Sequence, residues 1–272
     1  MINYGLYANI SSYDQNSLAK IYTPFINFNF RDNSNLRENK LNSLNARYLK
    51  ISNNGDTNIT PEYQVFNLKY ISLKSGVINH KKWFIDYQLS KKFSKISFSY
   101  EFRKLFKNNR ELNIRLFSGY FINNKNINND YFDFSLDRPT DYLYDYNYYG
   151  RSENNGFFSQ QIIMAEGGFK SKLASSSTNN FISTINLSST LWKNLLIYID
   201  LGVLNTKTNK SFKMVYDSGV RLNIIADYFE IYFPIKSSNG FEIKDPNYNE
   251  KIRFLFTFEP DVLLGLFRRK WY

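Results

Sequence analysis

The stretch "KISFSYEFR", Lys95 to Arg103, decides how this chain is to be read. Ile96, Phe98, Tyr100 and Phe102 fall on one parity, while Ser97, Ser99, Glu101 and Arg103 fall on the other. A β-strand sends successive side chains to opposite faces, so this pattern describes a strand with one apolar face and one ionic face. Just upstream, Trp83, Ile85, Tyr87 and Leu89 alternate with Phe84, Asp86, Gln88 and Ser90. In "YTPFINFNFRD" Ile26, Phe28 and Phe30 oppose Asn27, Asn29 and Arg31. Leu112, Ile114, Leu116 and Tyr120 oppose Asn113 and Arg115, and Ile252, Phe254, Phe256 and Phe258 oppose Arg253 and Thr257.

A soluble sandwich shows the same alternation, with its polar face in water. Three features favour a membrane barrel instead. The segments run about 9 to 13 residues, against about 5 to 6 for a globular strand. Their apolar faces carry rows of aromatics, as interfacial girdles do. Tight turns also alternate with long polar connections. The predicted strands are 1–12, 21–32, 41–52, 63–74, 82–90, 94–104, 110–122, 140–149, 157–167, 180–191, 195–205, 214–225, 228–236 and 249–259. That is an all-β, antiparallel transmembrane β-barrel of about 14 strands, with 12 as the fallback. The tight connections near Trp192–Asn194 and Ala226–Asp227 are expected on a periplasmic side, and the loops 206–213 and 237–248 outside.

The chain has 272 residues, a formal net charge of +11, one His and no Cys. It suits one large unit, excludes a disulfide scaffold and a Cys-ligated metal, and with 43% hydrophobic residues is no disordered chain. Asn, Lys, Ile, Phe and Tyr all have A/T-rich codons, so position rather than amount carries the reading. No run of about 18 apolar residues exists, which excludes a membrane helix and says nothing of strands. The opening "MINYGLYANISSYDQN" lacks a secretory pattern, so in an exported protein these residues are expected to belong to a longer precursor. After a barrel at 1–259, the tail 260–272, "PDVLLGLFRRKWY", reads as a short amphipathic helix in the interface, with Leu263, Leu264, Phe267 and Trp271 toward lipid. A helix capping a barrel or a soluble core is the plainer alternative.

Chemistry is sparse. His80 is the only histidine, which leaves zinc ligation without a set and places His80 as a solvated residue of a periplasmic turn. Asp133, Asp137, Asp141 and Asp145 recur every four residues in "FDFSLDRPTDYLYDYNYYGRSENNGFFSQQIIMAEGG", Phe132 to Gly168. A calcium site needs converging oxygens, whereas a strand would spread these carboxylates. The expectation is that Asp141 and Asp145 face the lumen, Tyr142, Tyr144, Tyr146 and Tyr148 face lipid, and a lumen charge network joins Arg103, Arg115, Asp141, Asp145 and Arg253, with Arg138 and Arg151 as further partners. Gly167 and Gly168 lack the spacing of a phosphate loop and read as a kink, bulge or close backbone approach. Lys and Arg are spread without a stripe, so no nucleic-acid partner is expected. No catalytic set, cofactor or metal site is read from these residues.

"FRDNSNLRENKLNSLNARYLKI", the Phe132 stretch, "YFEIYFPI" and "EKIRFLFTFEPDVLLGLFRRKWY" together resemble the C-terminal β-barrel region of large flavobacterial (Bacteroidota) outer-membrane proteins, in which a gluzincin, M1-like zinc metallopeptidase domain precedes the barrel. The resemblance implies a cell outer-membrane location, outer-membrane lipid around the barrel, and a periplasmic peptidase domain or partner chain. The zinc ligands and catalytic glutamate of that family lie upstream, so no catalytic residue carries over to this chain. The barrel is then expected to be the membrane anchor or conduit of a metallopeptidase. A free-standing pore for small solutes and a soluble β-sandwich binding protein are the alternatives. The start at Met1 without a peptidase segment is expected of a truncated, split or decayed gene.

Overall fold

A computed structural model of the chain describes residues 1–14, 17–32, 38–54, 62–125, 130–146, 153, 155–174, 176–225 and 228–256. Seven long strands come first: β1 (Ile2–Asp14), β2 (Ser17–Asp32), β3 (Glu38–Asn54), β4 (Glu62–Gly76), β5 (Asn79–Ser90), β6 (Phe93–Leu105) and β7 (Glu111–Asn124). An inserted segment follows, containing a two-stranded ribbon of β8 (Phe134–Ser135) and β9 (Ser177–Thr178). The chain resumes with β10 (Phe181–Trp192), β11 (Leu195–Asn205), β12 (Lys213–Ile225), β13 (Phe229–Ser237), β14 (Gly240–Phe241) and β15 (Arg253–Phe256). Each long strand pairs antiparallel with the next, and β10 pairs with β7 across the insertion. The protein is therefore all-β, with a 13-stranded antiparallel sheet among the described residues. Among the described residues the sheet is not closed by hydrogen bonds: β1 pairs with β2 alone, and β15 pairs with β13 while its other side meets the inserted segment at a Gln161–Phe254 bridge.

The alternation sets the faces. On β11, Leu196, Tyr198, Asp200 and Leu204 are buried, while Ile197, Ile199 and Leu201 are exposed. Register carries this across the sheet: Glu101 lies opposite Arg115, and Phe102 opposite Ile114. Ile21 of β2 and Val215 of β12, near opposite ends of the strand order, belong to one buried cluster with Phe132, Phe134, Leu136, Tyr142 and Phe169 of the insertion. The sheet thus curls around the inserted segment, which fills its concave side.

The concave face changes character along the strands. Toward one end it is apolar, with Ile51, Val65, Phe121, Ile182 and Val215 packed on the insertion. Toward the other it is polar, with Lys82, Arg103, Asn113, Arg221 and Glu230. The long connections 125–180, 206–212 and 238–252 leave from the apolar end. The connections 77–78, 106–110 and 193–194 leave from the polar end, which we call the turn end. The 193–194 and 206–213 connections thus fall on opposite ends, as the sequence pattern indicates.

Two predicted strands are absent. Residues 140–146 and 157–167 belong to the insertion, and 147–149 lie outside the described residues. Around 141–146 the backbone turns instead of extending: Asp141 and Tyr144 have φ of +46° and +60°, and the Tyr144 N–H donates to the Asp141 carbonyl at 2.9 Å. The Asp141 carboxylate accepts the N–H groups of Asp145 (2.9 Å) and Tyr146 (3.2 Å), a local capping that competes with a ladder. At 156–168, Gly156, Glu166 and Gly168 all have positive φ, and Phe157–Gln160 form a 3-10 turn. Fourteen strands therefore fall to thirteen in the sheet, of which β14 is a two-residue return in the 238–252 connection. His80 also differs from expectation: it lies on β5 opposite Arg103, not in a turn, with its Nδ1 3.3 Å from Ser75 Oγ. The tail with Leu263, Leu264, Phe267 and Trp271 lies outside the described residues.

Candidate functional site

The chemistry of this chain is concentrated where the inserted segment meets the wall. Asp200 on β11 and Asp217 on β12 are directly opposite each other and buried. Two like charges across a ladder are unfavourable, and the insertion resolves this. The Lys170 ammonium binds Asp200 at 2.9 and 2.8 Å, and the N–H groups of Lys170 and Ser171 donate to Asp217 Oδ2 at 2.9 and 2.7 Å. The Ser171 hydroxyl donates to Asp217 Oδ1 at 2.8 Å, and the Asn186 amide donates to Asp200 Oδ1 at 2.9 Å. Buried charges persist only when paired and hydrogen-bonded, and these are.

The turn before Lys170 explains the paired glycines. A Cβ at Gly167 would stand 2.6 Å from Leu136 Cα and 2.7 Å from its carbonyl oxygen, so only glycine permits this backbone contact. Gly168 has φ +69°, and a Cβ there would meet Arg115 Nη1 at 2.9 Å. The close approach lets Gly167 N–H donate to the Ser135 carbonyl (3.0 Å) and Phe169 N–H to the Leu136 carbonyl (2.8 Å). Glu166 accepts the Ser135 N–H at 2.6 Å and lies 3.8 Å from Lys95. Burial pushes the Glu166 carboxyl above its usual range, against the pull of Lys95 and that N–H. Burial likewise raises the Asp137 carboxyl, with Arg253 pulling the other way. The Lys95 ammonium sits among the rings of Phe134 (4.2 Å), Tyr142 (4.8 Å) and Phe121 (5.4 Å).

The five residues expected in one charge network occupy separate places on the inner side. Arg103 binds Glu111 at 2.8 Å, and Glu111 also receives Arg221 at 3.0 Å. Arg115 donates to the Glu166 carbonyl (2.6 Å) and to Asn186 Oδ1 (3.0 Å). Asp145 forms a two-pronged pair with Arg47, at 2.6 Å on each prong, rather than with Arg103, Arg115 or Arg138. Asp141 caps its own turn, and Arg253 donates to the Ser159 carbonyl at 3.1 Å. Tyr142, expected on the outer face, is buried inside; its hydroxyl donates to Gln88. Arg138 donates to the Glu153 carbonyl at 2.8 Å, and Arg151 lies outside the described residues.

Sequence reasoning missed Lys95, Glu166, Lys170, Asp200 and Asp217. One signal was available: in "LLIYIDLGVLN", Asp200 is the single charge, on the inward parity. Below the insertion, toward the turn end, lies a cavity of about 660 Å³ lined by residues of β5, β6, β7, β10 to β13 and β15, with Lys170 and Met164. A second, of about 1000 Å³, lies between the insertion and the 238–252 connection. Among the described residues no group of three or more His, Asp or Glu side chains is placed to hold a metal ion, and no helix is long and apolar enough to cross a membrane. Comparison with models of protein families and with curated proteins found no match for the chain.

Proposed function

We propose that this chain is a transmembrane β-barrel of a bacterial outer membrane, filled from within by the described residues of the inserted segment and serving as an anchor rather than an open channel. The observation that carries the reading is the polarity of the two faces. Ile199, Leu201, Leu116, Phe98 and Tyr120 are exposed on the outer face, while Asp200, Lys95, Arg115 and Glu230 are buried on the inner one. A water-soluble sheet has the opposite order, and continuous exposed apolar surface beyond a few hundred Å² marks contact with a partner or lipid. Strand lengths agree: β1 to β12, apart from the ribbon, run from 11 to 17 residues, enough for tilted spans that need about 9 to 11.

Setting β14 aside, the described residues make twelve passes, so β1 and β15 run antiparallel and their outer edges suit one another. With twelve passes, both ends of the sheet sit at the turn end, which this reading assigns to the periplasm. The resemblance described above supplies the rest of the proposal: a zinc metallopeptidase domain joined before β1, or carried by a partner chain, held beneath the barrel.

Membrane fractionation tests the anchor. The protein should stay with outer membranes through an alkaline wash, need detergent for release, and show no ohmic conductance in a planar bilayer. Release without detergent as a monodisperse monomer would establish a soluble sandwich, and a steady open conductance a pore.

A further inference from the structure

We infer that the outer wall at the turn end is a docking surface for anionic phospholipid headgroups, a reading that rests on the membrane anchor proposed above. Basic residues far apart in the sequence are gathered there by strand register. Lys40 of β3 lies directly opposite Lys74 of β4, Lys74 opposite Lys81 of β5, and Lys81 opposite Phe102 of β6. Residues directly opposite share a face, and Phe102 has the parity of the outward, exposed Phe98, so the row lies on the outer face. Lys104 follows two residues after Phe102, and Lys107 and Arg110 stand in the next connection, both exposed.

Like charges directly opposite one another destabilise a ladder, so this row calls for anions. The nearby carboxylates are placed elsewhere. Glu101 and Glu111 have the inner parity, where Lys82 and Arg115 face the first and Arg103 and Arg221 bind the second. Asp32, opposite Lys40, and Glu38, opposite Gly76, stand at the β3 end of the row. Lys81, Lys104, Lys107 and Arg110 have no carboxylate within ion-pair distance among the described residues.

The wall next to the row is layered. Trp83, two residues from Lys81, lies opposite Tyr100 and packs on Tyr70 with 5.2 Å between ring centroids; beyond it Ile85 lies opposite Phe98. Lys81 and Lys104 sit 5.6 and 5.1 Å from the rings of Phe102 and Phe106. Cations at the edge, then rings, then apolar side chains follow the order of a leaflet from headgroup to acyl chain. A phosphodiester with a net negative charge supplies what the row lacks. The row faces sideways, level with the bilayer surface, whereas a protein held beneath the barrel would meet the connections 77–78 and 106–110 end-on.

Quenching of Trp83 tests the inference. Trp192→Phe with Trp271→Phe leaves Trp83 as the single tryptophan of the full-length chain. This protein is reconstituted into phosphatidylcholine vesicles doped with equal small fractions of either brominated phosphatidylglycerol or brominated phosphatidylcholine. At low salt the brominated phosphatidylglycerol should associate at Trp83 about fivefold more strongly, the gain that one cation near an anionic headgroup brings. High salt should erase the preference. Lys81→Gln with Lys104→Gln should remove most of it, while continued quenching by brominated phosphatidylcholine shows the wall still folded in lipid. Should that variant not insert, Lys107→Gln with Arg110→Gln in the exposed connection makes the same test. Equal quenching by the two lipids would overturn this surface and leave the anchor standing. Quenching by neither would overturn the anchor and the surface with it, and a preference kept in full by the variant would overturn its assignment to these cations.

Discussion

The Lys170 ammonium lies 2.8 Å from Asp200 Oδ2, with the two side chains only 3% and 0% exposed, and this contact ties the inserted segment to the β11 wall. Removing one partner leaves the other buried and uncompensated. Lys170→Met alone should cost about 3–5 kcal/mol in denaturant unfolding of the purified protein, and Lys170→Met with Asp200→Leu should recover most of it. Equal losses in the single and double variants would show that the pair is not coupled.

Gly167 provides a steric test of the same seam. In Gly167→Ala the new methyl would press on the Leu136 backbone, which is held by its own hydrogen bonds to Ser176 and Phe169. A loss of about 1–3 kcal/mol is expected. Faster hydrogen exchange at Phe169 and Leu136 should accompany it, and unchanged exchange would contradict the close approach.

Glu166 gives the insertion a pH dependence of defined sign. Its carboxyl titrates above its unfolded value, so the folded state favours the protonated form. The contribution to stability is therefore full at low pH and declines as pH rises from about 4.3 through the raised folded value. Asp137 acts in the same direction. Protection of the Gly167 and Phe169 amides, taken relative to their intrinsic exchange rates at each pH, should fall across that window, and Glu166→Gln should flatten the profile. A profile in which protection instead grows with pH would refute the assignment.

Ile199 tests the outer face. It is exposed near the middle of β11, between the inward Tyr198 and Asp200. On a lipid-facing wall Ile199→Lys should cost about 2–4 kcal/mol of folding into vesicles. At an ordinary water-facing position the change would stay within about 0.5 kcal/mol. Refolding yield in lipid vesicles against urea measures it directly.

The strands of this protein were legible because period-2 alternation is a local property: Ile96 to Arg103 assign both faces of β6 without reference to anything else. The same rule failed at "DYLYDYNYY", where alternating Asp and Tyr imitate a strand. There the decisive interactions are the Asp141 carboxylate on the Asp145 and Tyr146 N–H groups, together with burial of Tyr142 among Phe93, Phe132 and Lys95. Periodicity does not report such contacts, because a side chain that caps its own turn leaves the pattern intact. Read alone, the sequence determined that the chain is all-β and antiparallel, and which parity is ionic in strands such as β2, β5, β6 and β7. Only the tertiary structure decided that the described residues between 130 and 174 turn inward, that Asp200 and Asp217 meet across a ladder, and that Lys170 and Ser171 neutralise them. Those pairings join residues 30 to 47 positions apart, and burial makes them mandatory: inside the sheet a charge without a partner costs more than the fold can spare.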